Sequence, residues 1–208
     1  MRRRKHIPTL TITPEQHAVL QHAPNVYLVG LMGAGKSTVG RILAQTLQRN
    51  FIDSDDEIIA RTGTTIATIF EYEGEAGFRE REARVIAELT LQTNMVLATG
   101  GGAALRPDNR AHLSERGWVV YLSTTPERLV QRTRHDRSRP LLQTGDPLAT
   151  LRQLYDIRHP LYQSIADFEV ITGAGQVSHV AQQIINALLE HIQQNQQNQS
   201  TSNTERPS

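Results

Sequence analysis

The chain has 208 residues, 38% of them hydrophobic, and its 22 Lys+Arg against 21 Asp+Glu leave a formal net charge of +1. That balance gives no global basic field for nucleic acid, and no stretch reaches the ~18 apolar residues of a bilayer span. The chain has no Cys, so disulfides and thiolate metal sites are excluded, which fits a reducing, cytoplasmic setting.

The size suits one domain of about 170 residues with dispensable ends. Residues 1–24 are expected to be an extension. Its basic start, Met1 to His6, has no apolar h-region or cleavage site after it, so no secretory signal is read, and Glu15 with the lack of Ser disfavours a transit peptide. Thr13-Pro14-Glu15 can start a short helix to Leu20, with Thr13 as N-cap and Pro14 at the first helical position. From Val26 the pattern alternates. Apolar runs at Val26–Val29, Phe51–Ile52, Met95–Ala98, Trp118–Leu122 and Phe168–Ile171 predict strands. Between and after them, helical spacing covers Ser37–Arg49, Asp55–Leu91 (with breaks near Gly63 and Gly74), Arg106–Arg116, Pro126–Arg134, Asp146–Ile165 and Gln176–Ile192. The prediction is an α/β three-layer sandwich around a five-stranded parallel sheet, spanning residues 25–192. Residues 193–208 are rich in Gln and Asn and are expected to be disordered.

Residues Gly30-Leu31-Met32-Gly33-Ala34-Gly35-Lys36-Ser37 match G-x-x-x-x-G-K-[ST] in full, between a predicted strand and a predicted helix. Glycines let backbone N–H groups wrap a phosphate chain at a helix N-terminus. Lys36 can reach the β- and γ-phosphates, and the Ser37 hydroxyl can ligate Mg²⁺.

Four further clusters carry weaker signals. Asp53-Ser54-Asp55-Asp56 follows the second strand, where ligands of open α/β sheets sit. In an extended segment Asp53 and Asp55 point to one side, one to orient a Mg²⁺ water and the other to accept a hydroxyl proton; the plainer reading is that Asp55 or Asp56 caps a helix. Arg79 and Glu82 are i,i+3 neighbours on a charged helix that also carries Phe78. Either Arg79 offers its fork to a substrate carboxylate, or the whole run is a solvated face of Arg–Glu pairs. Gly100-Gly101-Gly102 closes the third strand, either as backbone donors close to a ligand or as a flexible turn. Arg132, Arg134, Arg137 and Arg139 crowd one stretch, a pattern suited to a lid that brings guanidinium groups onto phosphates. No aromatic residues interleave with them, which weakens a nucleic-acid patch. Arg158, just before Pro160, offers another arginine at an expected helix break. Trp118 reads as core. The eight His residues show no metal-ligand spacing, and no G-x-S-x-G supports a hydrolase triad.

In order and spacing, these motifs resemble the shikimate kinase family from about Val26 to Leu189. The resemblance implies a nucleoside-monophosphate-kinase-like P-loop fold with a lid at about 133–147. It implies transfer of the γ-phosphoryl of ATP to the 3-hydroxyl of shikimate, on the route to chorismate and aromatic amino acids, with Mg²⁺ as cofactor. By the same resemblance, Gly33, Ala34, Gly35, Lys36, Ser37, Thr38 and Arg132 hold the nucleotide. The adenine loop lies near Thr172–Gln176, with Gln176 as its candidate contact. Ser37 and Asp53 serve the metal. Asp55, Arg79, Gly100, Gly101, Gly102, Arg139 and Arg158 bind shikimate, and Lys36, Asp55 and Arg139 are catalytic. A cytoplasmic monomer with a small-molecule substrate and no membrane or nucleic-acid partner is expected. A gluconate kinase is the competing enzyme, opposed by the triple glycine with F-R-x-x-E. A non-catalytic ligand sensor is opposed by the presence of Lys36, Asp55 and Arg139 together.

Overall fold

The computed structural model describes residues 10–134, 145–173 and 175–204. Arg137, Arg139 and nearly all of the expected lid lie outside them, as do residues 1–9 and 205–208.

Each predicted apolar run forms a strand: β1 Asn25–Val29, β2 Asn50–Asp53, β3 Met95–Ala98, β4 Gly117–Ser123 and β5 Phe168–Ile171. They pair in the order β2-β3-β1-β4-β5, all parallel. Central β1 and β3 are buried at every residue, as strands covered on both faces must be. The helices are α1 Pro14–Gln21, α2 Lys36–Leu47, α3 Ser54–Thr62, α4 Ile66–Leu89, α5 Pro107–Arg116, α6 Pro126–Thr133, α7 Pro147–Gln163 and α8 Val177–Thr204, with a 3₁₀ turn at Ala103–Leu105. No helix among the described residues is long and apolar enough to cross a membrane.

The expected breaks are present. Gly63 caps α3 at φ 67°, and Gly74 interrupts α4 at φ 70°, ψ −177°. Trp118 is half-buried, edge-on to Phe168 and His191.

Three expectations need correction. Residues 10–24 are not a loose extension. Leu20 is buried against the core, Leu10 N–H donates to Thr46 Oγ1, and the buried Arg49 guanidinium donates to the carbonyls of Leu20, Ala23 and Pro24. Arg49 thus supplies partners that the C-terminal carbonyls of α1 need. Residues 193–204 continue α8 as helix, since no Gly or Pro interrupts the chain there. Pro160 does not break α7. The helix runs on through it to Gln163, although Pro160 has no N–H to give to the ladder.

Candidate active site

The carboxyl ends of β1, β2 and β3 converge beside α7, and the site is built there. The P-loop leaves β1 at Gly30 and enters α2 through Gly35, whose φ of 103° a residue with a Cβ adopts only under strain. Lys36 folds back over the loop and donates from Nζ to the carbonyls of Gly30 and Leu31, at 2.7 and 3.0 Å. Ser37 and Thr38 are exposed at the start of α2. Ser37 Oγ donates to Asp53 Oδ2 at 2.6 Å. Asp53 is itself the N-cap of α3, accepting from Asp55 N–H at 3.1 Å. The capping carboxylate is therefore Asp53 rather than Asp55 or Asp56, and Asp55 stands in the first helical turn instead of sharing an extended segment with Asp53.

Asp55, Arg79, Glu82, Gly100, Gly101, Gly102 and Arg158 line one cavity of about 580 Å³. Its other wall is apolar, with Met32, Ile59, Ile66, Phe70 and Phe78. The sequence reading missed Met32, Ile59, Ile66 and Phe70 as site residues. The i,i+4 spacing of Ile66 and Phe70 was the available signal, but it marks core faces equally well.

The charged end of the cavity is tightly organised. Glu82 is fully buried and accepts Arg79 Nη1 at 2.8 Å. Glu75 takes Arg79 Nε and Nη2 at 3.3 and 2.9 Å. The solvated-face reading fails for this pair and holds for its neighbours, since Arg81–Glu73 and Arg84–Glu80 are exposed ion pairs. Burial pushes the Glu82 carboxyl above its ordinary range, against the pull of Arg79.

The triple glycine is a spacer. A Cβ at Gly100 would stand 2.5 Å from Glu82 Oε1 and 2.7 Å from Asp55 Oδ1, and one at Gly102 would stand 2.3 Å from both Arg79 Nη atoms. Only bare backbone lets two carboxylates and a guanidinium close in on this segment. It is also stitched down, which a flexible turn is not. Thr99 N–H and Oγ1 donate to Leu28 O, and Gly100 N–H donates to Ser54 Oγ at 2.9 Å. The buried Arg158 donates to Gly101 O at 3.0 Å.

Arg132 lies behind the P-loop. It donates to Thr172 Oγ1 at 3.1 Å and to Gly173 O at 2.6 Å, with longer contacts to the carbonyls of Gly33 and Ala34. Gln176 is not part of that cluster. It is exposed, accepting at its backbone carbonyl from His179 N–H as α8 begins, so Thr172 and Gly173 border Arg132 instead. No cluster of His, Cys, Asp and Glu suited to a metal occurs among the described residues. The Ser37 hydroxyl with the Asp53 carboxylate is an all-oxygen pair at a helix N-terminus, which fits Mg²⁺ shared with phosphate oxygens.

A doubly covered parallel sheet, a phosphate-binding loop at its centre and an adjoining cavity with one charged end define a P-loop kinase. The comparisons refine that class. The family model described as Shikimate kinase matches residues 32–189. A shikimate kinase of Dechloromonas aromatica (strain RCB) is 55% identical over 174 residues, covering 83% of this chain and 92% of its own length. One of Thiobacillus denitrificans is 61% identical over 154 residues, covering 74% and 84%. The solved shikimate kinase of Acinetobacter baumannii, in complex with shikimate, superposes with a TM-score of 0.82 at 50% identity, covering 84% of this chain and 98% of its own. The chain belongs to the shikimate kinase family, whose members use ATP with Mg²⁺. A gluconokinase of Sinorhizobium meliloti has a TM-score of 0.59 at 17% identity, covering 85% of this chain and 97% of its own, and shares the fold alone.

Proposed function

We propose that this protein transfers the γ-phosphoryl group of ATP to the 3-hydroxyl of shikimate, giving shikimate 3-phosphate and ADP. The observation that carries this reading is the single cavity in which Asp55, Arg79, Arg158 and the glycine triplet meet beside the P-loop. A small anionic triol needs guanidinium forks for its carboxylate and a carboxylate for its hydroxyls, and those groups line the cavity.

Arg79 and Arg158 hold the acceptor carboxylate. Asp55 accepts the proton of the hydroxyl as its oxygen bonds to the γ-phosphorus and the bond to the bridging oxygen of ADP breaks. The P-loop N–H groups and Lys36 hold the phosphates where negative charge shifts during transfer. Ser37 and Asp53 hold Mg²⁺, which neutralises phosphate charge. Arg132 borders the adenine, and Arg139 closes onto the phosphates with the lid, which limits loss of ATP to water. The protein works as a cytoplasmic monomer.

A coupled ADP-release assay with shikimate, quinate and gluconate as acceptors tests the reading. Turnover should depend on shikimate. Equal turnover with gluconate would move the protein to another acceptor class.

A further inference from the structure

Tyr162 lies four residues beyond Arg158 on α7 and is 1% exposed. Its ring packs on Tyr121 with centroids 5.1 Å apart, which explains the ring but not the hydroxyl. That hydroxyl donates to Gly101 O, the same oxygen that accepts Arg158 Nη1. A glycine carbonyl thus receives two buried donors from one helix.

The consequence lies on the other edge of the peptide. Among the described residues, the N–H groups of Gly101 and Gly102 donate to no protein acceptor. The Gly101–Gly102 peptide is trans and planar, so drawing its carbonyl toward α7 turns the Gly102 N–H the opposite way. Gly102 lies against the Arg79 guanidinium, and both line the cavity. The flanking peptides are tied separately, Gly100 O accepting from Ala103 N–H and Gly102 O from Leu105 N–H, so the bonds made to the Gly101 carbonyl itself are the two from α7.

We propose that Tyr162 is a positioning residue: its hydroxyl, with Arg158, pins the Gly101 carbonyl and so aims the Gly102 N–H at the anionic acceptor. The proposal rests on the acceptor reading above. Tyr162 touches neither substrate and acts through the peptide it holds. Neighbouring Tyr121 provides the control, because its buried hydroxyl bonds His159 Nδ1 at 2.9 Å and no cavity atom.

The test compares Tyr162→Phe, Tyr121→Phe and the parent enzyme by Michaelis constants for both substrates and by Tm. Tyr162→Phe should raise KM for shikimate by roughly 3- to 10-fold, the worth of one neutral hydrogen bond. KM for ATP should stay unchanged, and Tyr121→Phe should leave both constants alone. An unchanged shikimate KM in Tyr162→Phe overturns the proposal, whether Tm holds or falls. Equal rises in both tyrosine variants, or a Tyr162→Phe chain that does not fold, overturn it too, since the hydroxyl then serves general stability. A parent enzyme that does not turn over shikimate at all overturns the acceptor reading, and this proposal with it.

Discussion

Ser37 Oγ donates to Asp53 Oδ2 at 2.6 Å, joining the first turn of α2 to the N-cap of α3. The two strands that deliver these residues, β1 and β2, are not neighbours, because β3 lies between them. One carboxylate therefore has two duties, with Oδ1 capping a helix and Oδ2 facing the P-loop serine.

Asp53→Asn should separate those duties. Asn caps helices about as well as Asp, so Tm should change little. Its amide is a poorer ligand for a hard cation, so the Mg²⁺ concentration for half-maximal activity should rise several-fold. A Mg²⁺ titration of activity reads the result, and an unchanged midpoint would remove Asp53 from the metal site.

Lys36 carries the charge of the P-loop, and its ammonium rests on the carbonyls of Gly30 and Leu31. Lys36→Met keeps the aliphatic stem but loses the charge. Turnover should fall by at least the roughly 10²–10³-fold typical of one lost transition-state donor, with the circular dichroism spectrum unchanged. Activity close to the parent's would contradict the phosphate role.

Glu82 gives a pH-dependent prediction. Burial raises its folded-state pKa above the ordinary 4.5, so above that pH the fold retains a proton the unfolded chain has released. Stability from this group is fully present below 4.5 and is lost as pH rises through the raised folded value. Glu82→Gln cannot ionise and lacks that slope. Its Tm relative to the parent should therefore improve as pH rises from 4.5 toward neutrality, while its shikimate KM rises because Arg79 loses a charged partner. A Tm difference that is flat with pH would mean Glu82 has no raised pKa in the fold.

The N-terminal segment reverses an expectation. A chain beginning at Asn25 exposes the pocket of Leu20 and leaves the buried Arg49 guanidinium without its three carbonyl acceptors. Losing the leucine burial alone costs about 1.5–3 kcal/mol, so Tm should fall by roughly 5–10 °C. Ending the chain at Ile192 removes residues whose described side chains, 193–197, are exposed, and should leave Tm within error. Differential scanning calorimetry of the two truncations distinguishes them.

What the sequence showed and what it hid divide along one line. Strands, helices and the P-loop repeat local rules, so Val26–Val29 and the breaks at Gly63 and Gly74 were legible. Gly100 and Gly102 were legible as a cluster but not as spacers, because their neighbours Glu82, Asp55 and Arg79 come from other elements. Arg49 looks like any basic residue at a helix end until the fold carries α1 beneath it. Tyr162 was not singled out in the sequence: its ring packs on Tyr121, and only the tertiary contact with Gly101 gives its hydroxyl a place at the site. Gln176 rested on the resemblance alone, because loop geometry, unlike strand or helix, has no periodicity from which to place a residue.

Arg79 and Arg158 reach the same cavity from α4 and α7 and are fixed differently. Arg79 is gripped by Glu75 and Glu82, so its rotamer is set by charge before any ligand arrives. Arg158 is 4% exposed and donates from Nη1 to Gly101 O, while its buried Nε meets no acceptor among the described residues. A guanidinium grips a carboxylate through two parallel bonds, which a lysine ammonium cannot reproduce. Lysine at either position should raise KM for shikimate by roughly 10- to 150-fold, the worth of one charge-assisted bond of about 1.5–3 kcal/mol, with KM for ATP little changed. The two variants should differ in stability. Arg79→Lys weakens two ion pairs, one of them to the buried Glu82, and should lower Tm. Arg158→Lys removes an unsatisfied buried N–H along with one bond to a carbonyl, and should cost less. Michaelis constants for both substrates, with Tm for each variant, read the pattern. A rise confined to ATP KM would assign the arginines to phosphate and reopen the identity of the acceptor.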